Sequence, residues 1–287
     1  MVNIKKLQFE QLKLDGLKTL IQWAREEGWN PGPRDAEVFW QTDPEGFYGY
    51  FHEGKLIAGG ALVSYNGEFG FMGLFIVHPH YRGHGIGRKL WYQRRDTLLQ
   101  RLSPNASIGM DGVVAMQPFY HKGGFELAFR DNRYEKMGRT YDCHPHVSPI
   151  QEEDFHDILT YDEVCFGFNR QAFIKAWLQI PEKYTFKFKE GGQIKGFTIL
   201  RQAKTGYKIG PLFANNSFIA EELYKSCLNE VPGVAVYLDV PMINESAVQM
   251  IKKYEANYVF ECGRMYYGTP PPFNKDRVYG ITTFELG

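Results

Sequence analysis

The sequence is poor in the features that mark secreted, metal-bound and membrane-spanning proteins. Its four cysteines, Cys143, Cys165, Cys227 and Cys262, are scattered among 287 residues with no C-x-x-C pair. A disulfide framework is therefore not expected, and reduced thiols in a cytoplasmic setting are. The Cys143–His146 stretch CHPH lacks a second ligand pair at zinc-like spacing, so no metal site is expected. No apolar run approaches the ~20 residues that a membrane span needs, and the opening MVNIKKLQFEQL has no signal-peptide core. Neither charge sign is in excess: Lys+Arg and Asp+Glu each total 33, which removes the global basic field of a nucleic-acid binder.

What the chain does have is apolar and aromatic bulk, 44% and 16% of residues, enough for large cores or an aromatic-lined pocket. It also has an internal repeat. FHEGKLIAGGALV at 51–63 aligns with FKEGGQIKGFTIL at 188–200, matching Phe51, Glu53, Gly54, Ile57 and Gly59 to Phe188, Glu190, Gly191, Ile194 and Gly196. Each stretch is an apolar run broken by a Glu-Gly turn, the pattern of a hairpin. After the first come an Asn66-Gly67 turn, a helix near 85–102 with Trp91, Leu98 and Leu102 on one face, a strand, a short helix and a closing strand. After the second come GYKIGPLFA, a helix near 217–231, the strand VAVYLDV, the helix NESAVQMIKKY and a last strand. The order repeats, so the chain reads as a duplicated α/β domain, 1–141 and 147–287, joined by RTYDCHPHVSP.

The segment HPHYRGHGIGRKLW, 78–91, packs three glycines and three basic side chains between an apolar strand and the long helix. Such a turn suits an anion, because helix-start N–H groups and the dipole's positive end meet there. It is not a P-loop, since no Ser or Thr follows Lys89, and not a dinucleotide loop, since Arg88 stands where the third glycine belongs.

The spacing of Arg82, Gly85 and Gly87 resembles motif A of the GCN5-related N-acetyltransferase (GNAT) superfamily. DGVVAMQPFYHKGGFE, 111–126, is similar to that superfamily's strand–helix–strand ending in Tyr-x-x-x-Gly-Phe. GPLFA and the tail GTPPPFNKDRVYGITTFELG resemble a bacterial subfamily with a GNAT-like C-terminal domain appended. The resemblance implies a mixed, mostly antiparallel α/β sheet flanked by helices, in two tandem GNAT-like domains. It implies an N-acetyltransferase passing acetyl from acetyl-CoA to the amine of a small molecule or peptide; a monomer or homodimer in the cytoplasm is expected.

The resemblance also assigns residues. Backbone N–H groups of Gly83, His84, Gly85, Ile86, Gly87 and Arg88 would cradle the CoA pyrophosphate, with Arg82 opening the loop. Ile76 and Val77 would pair with the pantetheine arm. Tyr120 would face the leaving thiolate as its proton donor. The glutamate that many members use as general base aligns with Phe71, so Glu68, His78, His80, Asp111 and an ordered water remain candidates. Residue-by-residue alignment of the repeat puts Ile219, Ala220, Glu222 and Tyr224 opposite Arg82, Gly83, Gly85 and Gly87. The second copy is then without a phosphate loop and completes the fold or shapes an acceptor pocket. Transfer of another acyl or aminoacyl group, and a non-catalytic CoA sensor, are the alternatives.

Overall fold

Pairs of residues in left-handed conformation set the hairpins: Glu53-Gly54, Asn66-Gly67 and Gly191-Gly192 all have positive φ, as tight two-residue turns between twisted strands require. The computed structural model describes residues 7–287, so residues 1–6, the first half of the opening MVNIKKLQFEQL, lie outside the described residues. The first half runs β1 (Gln8–Gln11), α1 (Leu14–Glu26), α2 (Asp35–Thr42), β2 (Phe47–His52), β3 (Lys55–Ala61), β4 (Val63–Tyr65), β5 (Phe69–Phe71) and β6 (Ile76–Val77). It continues with α3 (Ile86–Gln100), β7 (Ser107–Val113), α4 (Gln117–Lys122) and β8 (Phe125–Met137). The second half runs β9 (Val147–Pro149), α5 (Phe155–Phe166), α6 (Gln171–Trp177), β10 (Lys183–Glu190), β11 (Gln193–Gln202) and β12 (Tyr207–Ala214). It ends with α7 (Ser217–Glu230), β13 (Ala235–Pro241), α8 (Glu245–Lys253), β14 (Asn257–Tyr267) and β15 (Val278–Gly280).

The architecture is mixed α/β and mostly antiparallel, with β5–β7 and β12–β13 paired in parallel. One sheet has the order β1-β2-β3-β6; the other runs β4-β5-β7-β14-β8-β13-β12-β11-β10-β9, with β15 on β12. The 138–146 connection holds the seam, yet strands cross it. β14 of the second half lies between β7 and β8 of the first, and β8 lies between β14 and β13. Cys262 opposes both Val113 and Asp131, and Arg264 opposes Asp111. Each half has thus placed its long closing strand beside the other half's inner strand.

Packing also joins the halves. Phe39 of α2 stacks on Trp177 of α6 with ring centroids 6.5 Å apart, and Asp35 pairs with Arg201 at 2.9 Å. Leu17, Leu20, Phe39, Ile174, Trp177 and Phe197 belong to one shared core. Each such side chain contributes roughly 1.5–3 kcal/mol by leaving water. On α3, Trp91 and Leu98 are fully buried and Leu102 is partly so, as their spacing predicts.

Candidate active site

β5 and β6 are two pieces of one strand that leave for different sheets. β5 pairs with β7, whereas β6 pairs with β3. Between them the carbonyl of Gly73 accepts from the Ala61 N–H at 2.8 Å and from Nη2 of Arg94 at 2.7 Å, and Leu74 turns through a left-handed φ of 49°. Gly73 must be glycine, because a Cβ there would lie 1.9 Å from the carbonyl oxygen of Glu285. The divergence opens a cavity of about 660 Å³. Gly83, Gly85, Gly87 and Arg88 line one part of it, and Tyr120, Cys262 and Glu285 another.

The loop is built for backbone contact. After the Pro79–Tyr81 turn, Gly83 and Gly85 adopt φ of 80° and 77°, a region that costs other residues about 1–2 kcal/mol. Gly85 is the N-cap of α3 and no side-chain bond caps the helix among the described residues. By contrast, Asn216 caps α7 by accepting the Ile219 N–H at 3.0 Å, and Asn244 caps α8 through the Ala247 N–H at 3.2 Å. The first turn of α3 carries no acid, while Arg88 and Lys89 stand there, the reverse of what the helix dipole favours. An anion seated at that end would answer both the uncapped N–H groups and the misplaced cations.

Of the loop residues assigned to the anion, Arg82, Gly83, Gly85, Gly87 and Arg88 line the cavity together with Ile76 and Val77. His84 and Ile86 do not line it. His84 is exposed, its Nδ1 2.8 Å from the Arg82 carbonyl, and Ile86 is buried beside Tyr50, Ile57 and Leu90, anchoring the helix start. The Arg82 guanidinium pairs with Glu27 and donates from Nε to the Val77 carbonyl at 2.8 Å.

The candidate proton-handling residues separate cleanly. Tyr120 and Asp111 line the cavity; Glu68, His78 and His80 do not. Glu68 is exposed on the β4–β5 turn, and His78 packs edge-on against Trp23 and His80. Phe71 is a fully buried core ring beneath Arg264. Tyr120 is buried, stacks on Trp91 and is pushed up to about 12 by burial. Asp111 is gripped by Arg264 through a two-bond fork of 2.6 and 2.9 Å. Burial outweighs that cation and holds the Asp111 carboxyl above its ordinary range. Burial, then the charge of Asp111, raises the neighbouring Asp131 well above it.

Four cavity residues from the second half had no signal in the sequence: Phe260 and Cys262 on β14, and Phe284 and Glu285 on the tail. Phe260 and Cys262 reach this wall only because β14 is inserted beside β7. The tail is pinned over Gly73: Tyr65 donates to the Leu286 carbonyl at 2.7 Å, and Thr283 Oγ1 accepts from the Glu285 and Leu286 amides, each at 3.0 Å.

The second copy differs from its expected alignment. α7 begins directly after the two residues that follow β12, and Asn216, not Glu222, is the counterpart of Gly85 as helix cap. The phosphate loop has been shortened away, not filled. Glu222 lies further along α7, where it accepts from the His144 N–H at 3.1 Å and pairs with Lys225 at 2.7 Å. A fixed residue offset failed because the two β–α connections differ in length.

Among the described residues no group of three or more His, Cys, Asp and Glu is arranged to hold a metal, and no helix is long and apolar enough to cross a membrane. Comparison with known proteins agrees with the duplicated architecture. Residues 14–125 match the acetyltransferase (GNAT) family, and residues 158–280 match an acetyltransferase (GNAT) domain. The chain is 29% identical over 277 residues to the holothin acyltransferase of a Pseudoalteromonas species, covering 96% of this chain and 92% of that one. It is 22% identical to an uncharacterised N-acetyltransferase of Bacillus subtilis, covering 93% and 94%. A putative acetyltransferase structure from Pyrococcus horikoshii superposes with a TM-score of 0.84 at 21% identity, over 100% of this chain and 98% of that one. A tandem GNAT protein from the clavulanic acid biosynthesis pathway gives 0.66 at 12% identity, over 93% and 100%.

Proposed function

The chain belongs to the GNAT superfamily, an acyltransferase with two GNAT domains in tandem, and from that premise we propose that it acetylates the amine of a small molecule using acetyl-CoA. The observation that carries the proposal is the uncapped start of α3, with Gly83 and Gly85 left-handed and Arg88 beside them, opening on a cavity that Tyr120 also lines. Residues 1–141 supply this donor site, and 147–287 complete the acceptor side. α7, capped by Asn216, offers no second loop.

In this reading the amides of Gly83 to Arg88 bind the pyrophosphate, and Ile76 and Val77 hold the pantetheine arm by strand-like pairing. Acetyl-CoA brings the acyl thioester; the protein positions the amine against it and excludes water. Tyr120 stays protonated at neutral pH and hydrogen-bonds the sulfur as the C–S bond breaks, then gives up its proton. Cys262, though in the cavity, is held as the thiol because burial raises its pKa far above neutral, which argues for direct transfer over an acyl-enzyme. A longer acyl donor is the alternative, since the Pseudoalteromonas relative is named an acyltransferase.

The test is release of free CoA thiol from acetyl-CoA in the presence of an amine. Tyr120→Phe is expected to lower kcat by about 100-fold with little change in KM for acetyl-CoA, the lower end of what acid catalysis supplies, because a phenol near 12 is a weak donor. No Tyr120 ionisation should appear in the wild-type pH–rate profile below pH ~11, since the proton leaves only as pH nears 12. An unchanged kcat in Tyr120→Phe would remove the residue from the chemistry.

A further inference from the structure

The cavity's carboxylates differ in what holds them. Glu27 is paired with Arg82, and Asp111 is forked by Arg264. Glu285 is 4% exposed and lines the cavity, yet its side chain makes no hydrogen bond or ion pair with any described residue. As part of the cavity wall it stands where a cationic ligand would complete it. Asp111 on β7, Arg133 on β8 and Lys208 on β12 lie near enough to feel its charge. Arg133 is taken by Asp239 through bonds of 2.6 and 2.7 Å, and Lys208 donates to the Trp29 carbonyl at 3.1 Å. Neither cation makes a hydrogen bond or ion pair with Glu285.

Beyond its charged residues the cavity wall is largely apolar, with Trp29, Met72, Met110, Phe119, Phe260 and Phe284. One unpaired negative charge in such a wall matches one positive charge on an apolar body. A polyamine would bring further cations, and the other two carboxylates of the cavity, Glu27 and Asp111, are already held by Arg82 and Arg264.

We infer that Glu285, supplied by the second domain, binds the acceptor's ammonium and takes its proton, and that the acceptor is a monoamine on an apolar or aromatic scaffold. This rests on the donor site proposed above. The ammonium gives one proton to Glu285, which passes it to solvent, and the freed lone pair attacks the thioester carbonyl carbon. The C–N bond forms, the C–S bond breaks, Tyr120 protonates the thiolate, and the second proton lost by the adduct nitrogen restores the Tyr120 phenol. The sum is ammonium plus thioester giving amide, thiol and one proton.

The experiment uses the full chain with acetyl-CoA and either 2-phenylethylamine or spermidine, following thiol release from pH 6.5 to 9.5, with calorimetric titration of acetyl-CoA alongside. The wild type should turn over 2-phenylethylamine at least tenfold faster than spermidine. Glu285→Gln should bind acetyl-CoA as the wild type does and lose about 100-fold in kcat/KM for the amine at pH 7. Its rate should then climb about tenfold per pH unit, because only neutral amine, scarce below an alkylamine pKa near ~10, still reacts. Glu285→Asp should recover part of the loss, which a merely structural role would not explain. Faster turnover of spermidine overturns the acceptor class. Equal rates in wild type and Glu285→Gln overturn the role of Glu285. Binding of acetyl-CoA with no release from 2-phenylethylamine overturns this inference alone, whereas failure to bind acetyl-CoA overturns the donor site beneath it.

Discussion

Replacing Gly85 with glutamate is expected to abolish acetyl-CoA binding and to leave the protein folded. Gly85 sits at φ 77° as the uncapped start of α3, and the position is exposed, so the side chain has solvent to enter. The left-handed conformation alone costs a non-glycine residue about 1–2 kcal/mol, within the margin of an ordinary domain. Binding suffers twice. Relaxing the strain swings the N–H groups of the loop out of register, and the carboxylate occupies the pole of the helix where a pyrophosphate would sit. Calorimetric titration should show no heat for Gly85→Glu, with unchanged far-UV circular dichroism. Gly85→Ala, strained but uncharged, should retain weakened binding. Wild-type affinity in the glutamate variant would place the donor elsewhere.

Arg170→Ala should lower stability by about 3–5 kcal/mol, the cost of orphaning a buried charge. Arg170 and Asp162 are both fully buried and share bonds of 2.7 Å through Nε and Nη2. The same guanidinium donates to the Gly287 carbonyl at 3.0 Å and to Thr282 Oγ1 at 2.8 Å, and it packs 3.9 Å from the centre of the Phe166 ring. It therefore fastens the tail that carries Phe284 and Glu285 across Gly73. Urea unfolding measures the loss of stability. Amine turnover in the variant at a temperature where it remains folded should fall more than acetyl-CoA binding does, because the tail lies on the acceptor side. A stability change below about 1 kcal/mol would mean that the pair and its anchoring role are dispensable.

The repeat was legible because its strongest signals are local. Turn pairs such as Asn66-Gly67 and the apolar stripe of α3 depend on neighbours a few residues away, and the loop at 82–88 declares itself by glycine spacing. Helices α1, α2, α5 and α6 precede each hairpin and so lie outside the matched repeat, although Leu17, Leu20, Ile21 and Ala24 form a helical stripe. The strand exchange was not legible at all. β8 and β14 have the same alternation whether each pairs within its own half or across the seam, so nothing local distinguishes the two topologies. That exchange brings Arg264 onto Asp111 and Cys262 into the cavity. The acid in TTFELG likewise looks like any solvated tail residue until Gly73 is seen to admit the backbone over it.

The two halves differ at the connection before their long helices: the first has a glycine loop ahead of α3, the second goes from strand to a capped α7. One donor site per chain is therefore expected, in the first half, facing an acceptor wall from the second. Titrating acetyl-CoA into the intact protein and reading the stoichiometry tests this most directly. One acetyl-CoA per chain is the predicted result; two per chain would contradict it, because α7 would then bind a pyrophosphate without a loop to hold it.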